Sequence, residues 1–222
     1  MSDSISLEEL AVILGPSGLR LRGVASFGAG EGPLLGDGTN ARSVALIGNI
    51  GGSIWPQFSQ WRRGYRGPDP LDTWSKSIIR PLAASLGATA FFPSDRPYQP
   101  FQTWAALAED LRPSPLGVLL HPRYGLWHGY RGALGFSCSI GAPRIVRLEL
   151  PEGWEQICAL ACPVGAVHAD GFDIAACRGY LGSEEGRATC MRFGCAARNA
   201  CPIGADYRYP PAQLRFHMEA LF

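Results

Sequence analysis

The sequence predicts an α/β domain followed by a small, mostly α, cysteine-rich module. Three observations carry that reading. Strand-like and helix-like periodicities alternate through the first 137 residues, and all seven cysteines (138, 158, 162, 177, 190, 195 and 201) fall in the last 85. After Leu150 the chain changes to short helical runs and loops around those cysteines. The expected domains are therefore 1–137 and 138–222.

Ser6, with Glu9 three residues on, caps a first helix through Leu7, Leu10, Ala11 and Leu14, and Gly15-Pro16-Ser17-Gly18 ends it. Leu19 to Ser26 sets Leu19, Leu21 and Val24 against Arg20 and Arg22, the period of a half-exposed strand. Phe27 to Asn40 is a glycine-rich loop. Ser43 to Ile47 reads as a buried strand leading into the turn Gly48-Asn49-Ile50-Gly51-Gly52, whose bare backbone could admit a ligand or serve loop geometry alone. Trp55, Phe58, Trp61 and Tyr65 with Arg62, Arg63 and Arg66 form either a packed helix, the reading adopted, or part of an anion-binding rim. Asp72 caps a helix with the apolar face Trp74, Ile78, Leu82 and Leu86. Ala88 to Phe92 and Leu116 to Leu120 are short apolar strands, Thr103 to Leu111 is a helix broken by Pro113 and Pro115, and Arg144 to Leu150 alternates as a further strand. A final helix from Pro211 to Phe222 buries Leu214, Met218 and Leu221.

Composition narrows the class. With 222 residues, 46% hydrophobic content and a mean hydropathy near zero, the chain is globular rather than disordered or fibrous. Its net charge is +1 and Lys76 is the only lysine, so a nucleic-acid partner held by a broad basic surface is not expected. No apolar run approaches eighteen residues, and Met1-Ser2-Asp3-Ser4 has neither a basic n-region nor an apolar core, so the expectation is a cytoplasmic protein without a membrane partner.

An odd number of cysteines with no secretory signal points away from a disulfide framework and toward ligands, nucleophiles or plain core residues. Cys158-x3-Cys162-Pro163 and Cys201-Pro202 each place a proline after a cysteine, as at the tail of a ferredoxin run. The proline turns the chain, and neighbouring amides can point at thiolate and sulfide sulfurs. Cys190-x4-Cys195-x5-Cys201-Pro202 is a second, irregular block. In two-cluster ferredoxins the cysteine before proline reaches the other cluster, so Cys162 is expected to join ligands from the second block. The first block lacks its first two cysteines, which favours one [4Fe-4S] cluster over two. Metal ligands are sought among Cys158, Cys162, Cys177, Cys190, Cys195 and Cys201; the favoured set is Cys162, Cys177, Cys195 and either Cys190 or Cys201, with Cys158 and Cys138 as spares. Unliganded core cysteines and a zinc site remain open alternatives, although zinc prefers tighter paired knuckles.

Gly117 to Gly132 reads as a strand, a Pro/Gly turn and a returning strand that gathers His121, Arg123, Trp127 and Arg131 at one end of a hairpin. Arginine there can hold a phosphate or carboxylate, and an indole can stack on a flat ring. His121 and Trp127 also have plain readings, as a hydrogen-bonded histidine and a core residue.

The residues Gly117, Val118, His121, Pro122, Arg123, Tyr124, Gly125, Trp127, Arg131 and Gly132 resemble the G-V-x-x-H-P-R-[FY]-G-x-W-x-x-x-R-G stretch of the CblC-type cobalamin-processing family, the methylmalonic aciduria and homocystinuria type. That resemblance covers about sixteen residues and implies a flavin-reductase-like, nitroreductase-related sheet domain holding a corrinoid. Gly117, His121, Arg123, Gly125, Trp127 and Arg131 are then cofactor-binding candidates, with cobalamin or FMN as the cofactor. Leu119 departs from the family, which has a small polar residue or cysteine there.

The C-terminal half is similar to the ferredoxin-type modules of epoxyqueuosine reductases and reductive dehalogenases. The matching residues are Cys162-Pro163-Val164-Gly165-Ala166-Val167, then Asp173, Cys177, Tyr180 and Leu181, then Phe193-Gly194-Cys195, and finally Cys201-Pro202. This resemblance implies one cluster on Cys162, Cys177 and Cys195 with a fourth ligand, and it points to Asp95, before Arg96-Pro97, as the catalytic aspartate; a helix cap is that residue's other reading.

The function expected from these features is an iron-sulfur redox protein that binds a corrinoid and passes electrons to it, acting on a small-molecule substrate with an electron-donor protein as partner. The alternatives are a non-enzymatic iron-sulfur carrier or cobalamin chaperone, and a zinc-stabilised binding module. A homodimer is compatible with the CblC-like fold.

Overall fold

A computed structural model describes residues 6–142, 145, 147–168 and 171–221. The chain divides into two compact units, 1–110 with 129–146, and 111–128 with 147–222. The division is thus not a single cut near residue 137. Residues 111–128 belong with the cysteine-rich part, and 138–146 belong with the sheet.

In the first unit, α1 (Leu7–Leu14) starts at a reciprocal cap: the Ser6 hydroxyl accepts from the Glu9 amide (3.1 Å), and the Glu9 carboxylate accepts from the Ser6 amide (2.8 Å). It buries Leu10 and Leu14, and a short 3-10 turn at Gly15–Ser17 delivers the chain to β1 (Arg20–Ser26). This strand is not half-exposed. Arg22 to Ala25 are all buried, and the pairing with β2 (Ser43–Ile50) slips between Leu21 and Gly23. Such a bulge re-aims a side chain, here Arg22, which turns inward. β2 itself continues through Gly48, Asn49 and Ile50 where a turn was expected, and every residue from Ser43 to Asn49 is buried.

α2 (Trp55–Arg62) packs Phe58 edge-on to Trp74, with ring centroids 5.7 Å apart. That residue belongs to α3 (Pro70–Ser85), which begins after Asp69, so Asp72 lies in the first turn and is not the cap. Ile79, not Ile78, faces the core, and Leu86 lies past the helix end. β3 (Thr89–Phe91) is followed by α4 (Phe101–Ala108), which ends before the prolines reach it. β4 (His128–Phe136) completes a four-stranded antiparallel sheet of order β1-β2-β4-β3. Its glycines have a packing reason: a Cβ on Gly48 of β2 would lie 2.1 Å from the Gly129 carbonyl of β4. With 40% helix, 18% strand and this antiparallel sheet, the protein is mixed α+β.

The second unit starts with turns. Leu116 to Leu120 is no strand; Leu120 alone bridges to Arg112, and His121 bridges to Gly125, so the predicted hairpin is replaced by a tight loop running into β4. Of the strand predicted over Arg144–Leu150, Arg144 and Val146 lie outside the described residues, and 147–150 belong to no sheet. The remaining elements are short: α5 (Trp154–Leu160), the two-residue pair β5 (Val167–His168) and β6 (Gly171–Phe172), α6 (Ile174–Gly182), α7 (Glu184–Ala188), α8 (Cys190–Phe193), α9 (Ala196–Ala200) and α10 (Pro211–Glu219). α10 buries Leu214 and Met218, while Leu221 is exposed and Phe222 lies outside the described residues. Among the described residues no helix is long and apolar enough to cross a membrane.

Candidate metal centre

The second unit sorts its cysteines into two groups. Cys162 follows α5 in a turn where its amide donates to the Ala159 carbonyl (3.1 Å) and its carbonyl accepts from Gly165 (3.2 Å). Pro163 enforces that turn. Cys177 sits on α6, whose start is fixed by the Asp173 carboxylate accepting from the Ala176 amide (2.9 Å). Cys190 opens α8, and Cys195 lies just before α9, with Gly194 in left-handed backbone (φ 89°) turning the chain between them.

Cys162, Cys177, Cys190 and Cys195 line one cavity with about 330 Å³ of empty space, its mouth included. The rest of the wall is apolar, with Val164, Val167, Phe172, Leu181 and Met218 prominent, and among the described residues no charged side chain lines it. Burial, then the proximity of Cys195, Cys162 and Cys190, pushes the Cys177 thiol up to about 11. Cys195 is also raised, chiefly by burial, against backbone hydrogen bonds from Arg198 and Ala197 that favour its thiolate. These are four thiols around a common space, supplied with amide donors at one of them.

Cys158 and Cys201 lie outside that cavity wall. Both are fully buried in an apolar cluster with Leu120, Leu126, Trp154 and Ile203. The two thiols influence each other, which raises Cys158 and lowers Cys201 to about 7, and the Cys201 thiol donates to the Ile203 carbonyl (3.9 Å). Cys138 is exposed in the first unit. Sequence spacing left Cys190 and Cys201 open as the fourth member of the set; the fold brings Cys190 to the cavity and gives Cys201 to Cys158. Among the described residues, no group of three or more His, Cys, Asp or Glu side chains is placed to hold a metal ion.

The other candidates are dispersed. Trp127 is fully buried, with Tyr209 edge-on at 5.4 Å and the Arg198 guanidinium 4.6 Å from its ring, so its faces pack protein rather than lie open. Gly125 (φ 58°) is a packing position, since a Cβ there would lie 1.9 Å from the Ile203 carbonyl. His121 stacks on Tyr124 at 4.2 Å, and its Nδ1 accepts from the Arg123 amide (3.0 Å). Arg123 is exposed and donates to the Tyr207 hydroxyl (3.2 Å), and Gly117 sits in a left-handed turn (φ 73°) with open space around it. Arg131 belongs to the first unit, where it donates to Asn49 Oδ1 (3.2 Å). Asp95 caps no helix; it is salt-bridged to Lys76 (2.5 Å) and Arg80 (3.3 Å). Arg62, Arg63 and Arg66 border an open concavity with Trp55 and Tyr65, so that helix both packs and presents basic groups.

One polar cluster had no sequence signal. Arg22 donates to Glu109 (3.0 Å) and to the Asn49 carbonyl (3.1 Å), and Tyr130 donates to the other Glu109 oxygen. Burial raises Glu109, with Arg22 and Tyr130 opposing, and burial raises Tyr130 as well. A pattern-based reading put Arg22 in solvent, and its partner lies 87 residues away. Comparison of the chain with protein-family models, with curated proteins and with solved structures finds no match.

Proposed function

We propose that this chain is an iron-sulfur electron-transfer protein that carries one [4Fe-4S] cluster on Cys162, Cys177, Cys190 and Cys195 and has a corrinoid as electron acceptor. The observation that carries it is the shared apolar cavity of those four thiols. Four soft sulfur donors with no oxygen or imidazole ligand among them suit iron-sulfur chemistry. Zinc suits the sequence less well, because its structural sites prefer tightly paired C-x2-4-C knuckles, which Cys158/Cys162 and Cys190/Cys195 fit only loosely. Bound there, the cluster supplies single electrons at the low potential that reduction of a corrinoid cobalt demands. The protein's own contribution is to exclude water with Val164, Phe172 and Met218, and to aim the Ala197 and Arg198 amides at the Cys195 sulfur.

The corrinoid rests on the resemblance of residues 117–132 to the CblC family, and FMN is the other cofactor that resemblance allows. With Trp127 and Gly125 engaged in packing, Gly117, with open space around it, and the exposed Arg123 are the positions of that segment best placed to meet a ligand. A second reading, a non-enzymatic carrier, is favoured by the engagement of Asp95 with Lys76 and Arg80, which leaves that carboxylate no evident catalytic part.

Anaerobic preparation with assay of iron, acid-labile sulfide and zinc tests the first claim: about four iron and four sulfide per chain are expected, and zinc without iron overturns it. Titration of the loaded protein with cobalamin then separates a corrinoid reductase from a carrier.

A further inference from the structure

Cys158 and Cys201 are left over by the four-thiol cavity, and they are left over together. Both are fully buried, and they share one apolar cluster. Their place in the sequence explains why. A ferredoxin run ending at Cys162-Pro163 puts its four ligands at 152, 155, 158 and 162. Glu152 and Glu155 occupy the first two positions, so Cys158 is the third ligand of a run whose first half is gone. Cys201 precedes Pro202 and ends the second block, and in the two-cluster pattern a cysteine in that position crosses to the other cluster. Cys162 groups with Cys177, Cys190 and Cys195, and Cys201 groups with Cys158. The exchange of partners persists although one of the two cluster sites has lost half its ligands.

We propose that Cys158 and Cys201, the remainder of that second site, form a reversible dithiol-disulfide pair that staples the segment carrying the cluster ligands. Cys162, Cys177, Cys190 and Cys195 all lie between the two paired cysteines in sequence. A bond between Cys158 and Cys201 therefore closes a loop around the whole ligand set and limits how far it can open when the cluster is lost. Disulfides act mainly by constraining such open states.

The oxidant is hydrogen peroxide, small enough for a site enclosed by apolar side chains. The Cys201 thiolate attacks one peroxide oxygen, the O–O bond breaks, and with one proton taken up the products are a Cys201 sulfenic acid and water. The Cys158 sulfur then attacks the Cys201 sulfur; the S–S bond forms, the S–O bond breaks, and the hydroxyl leaves as water with the Cys158 proton. Two thiols are oxidised and one peroxide is reduced to two waters. A dithiol reductant reverses the step by exchange.

The location of the pair rests on the cluster reading, but its chemistry is tested apart from it. The anaerobically prepared full chain is divided, one half is treated with hydrogen peroxide, and both halves are acid-quenched, alkylated and digested with trypsin; iron and sulfide are assayed on the untreated half. Expected is a peptide 148–178 joined to 199–208 through Cys158 and Cys201, lighter by two hydrogens, absent from the untreated half and abolished by dithiothreitol. Cys201→Ser should remove this species, whereas Cys138→Ser should leave it. The proposal is overturned if Cys158 and Cys201 both carry the alkyl label after peroxide, or if either is joined to another cysteine instead. Iron present with the pair unlinked sinks the staple and keeps the cluster, while the linked pair in a protein that takes up no iron sinks the cluster and keeps the staple.

Discussion

Arg22 and Glu109 form an ion pair of 3.0 Å in which the arginine side chain is fully buried and the glutamate is 8% exposed. The slip in β1 at Arg22 and the end of α4 before Glu109 bring them together. Removing one partner strands a buried charge, so Glu109→Ala is expected to cost about 3–5 kcal/mol. Urea unfolding followed by far-UV circular dichroism measures it. A loss under about 1 kcal/mol, the size of a surface pair, would mean that water reaches the guanidinium.

The same carboxyl sets a pH dependence. Burial holds Glu109 above its ordinary value of 4.5 in the folded state, so the fold favours its protonated form. Its contribution to stability is complete below the unfolded value and is lost as pH rises through the raised folded value. Glu109→Gln stays neutral at every pH. The wild type should therefore lose stability relative to Glu109→Gln as pH climbs from about 4.5 upward, and equal slopes for the two proteins would refute the shift.

The partition of the cysteines gives a sharper test. Alanine at Cys162, Cys177, Cys190 or Cys195 is expected to strip most of the iron and the visible absorption. Alanine at Cys158 or Cys201 should leave both and lower stability by about 1–3 kcal/mol through loss of packed sulfur and its hydrogen bond. Iron lost from Cys201→Ala but retained in Cys190→Ala would exchange the two assignments. Metal analysis and thermal unfolding of all six variants give the answer.

Local signals were readable and distant ones were not. Ser6 and Glu9 disclose α1 because both halves of the cap lie within four residues. The cysteine spacing marked out the cysteine-rich C-terminal part, and the proline rule already sent Cys162 to the second block, but choosing between Cys190 and Cys201 as the fourth thiol of the cavity needed the fold. β4 was half-seen because Gly129, Gly132 and Gly135 depress strand propensity, and the groups that crowd Gly132 and Gly135, from Ile79, Phe91 and Leu35, lie far away in sequence, which no local pattern records. Arg22 looked solvent-facing in an alternating strand until the bulge turned it inward. Trp127 carried a ring-stacking expectation, yet Arg198 and Tyr209, more than seventy residues on, cover it.

That cover makes Trp127 a stability residue. Trp127→Ala is expected to cost about 3–5 kcal/mol. Trp127→Phe, which keeps a ring against Tyr209 and Arg198, should stay folded with unchanged cobalamin affinity. A tenfold or greater loss of affinity in folded Trp127→Phe would return the indole to the ligand site.

Cluster loading should release protons. In the empty cavity Cys177 is held up to about 11 and Cys195 is raised too, so these thiols are protonated at neutral pH. Iron binds thiolates, and each ligand must give up its proton as it binds. The sign follows: low pH holds protons on the sulfurs and opposes binding, and the apparent affinity for iron rises with pH until the thiols ionise on their own. About two protons per chain, one each from Cys177 and Cys195, are expected on anaerobic reconstitution near pH 7, measured by titration in two buffers of different ionisation enthalpy. Release near zero would mean that Cys177 and Cys195 were already ionised, against the burial among Val164, Phe172 and Met218 that raises both.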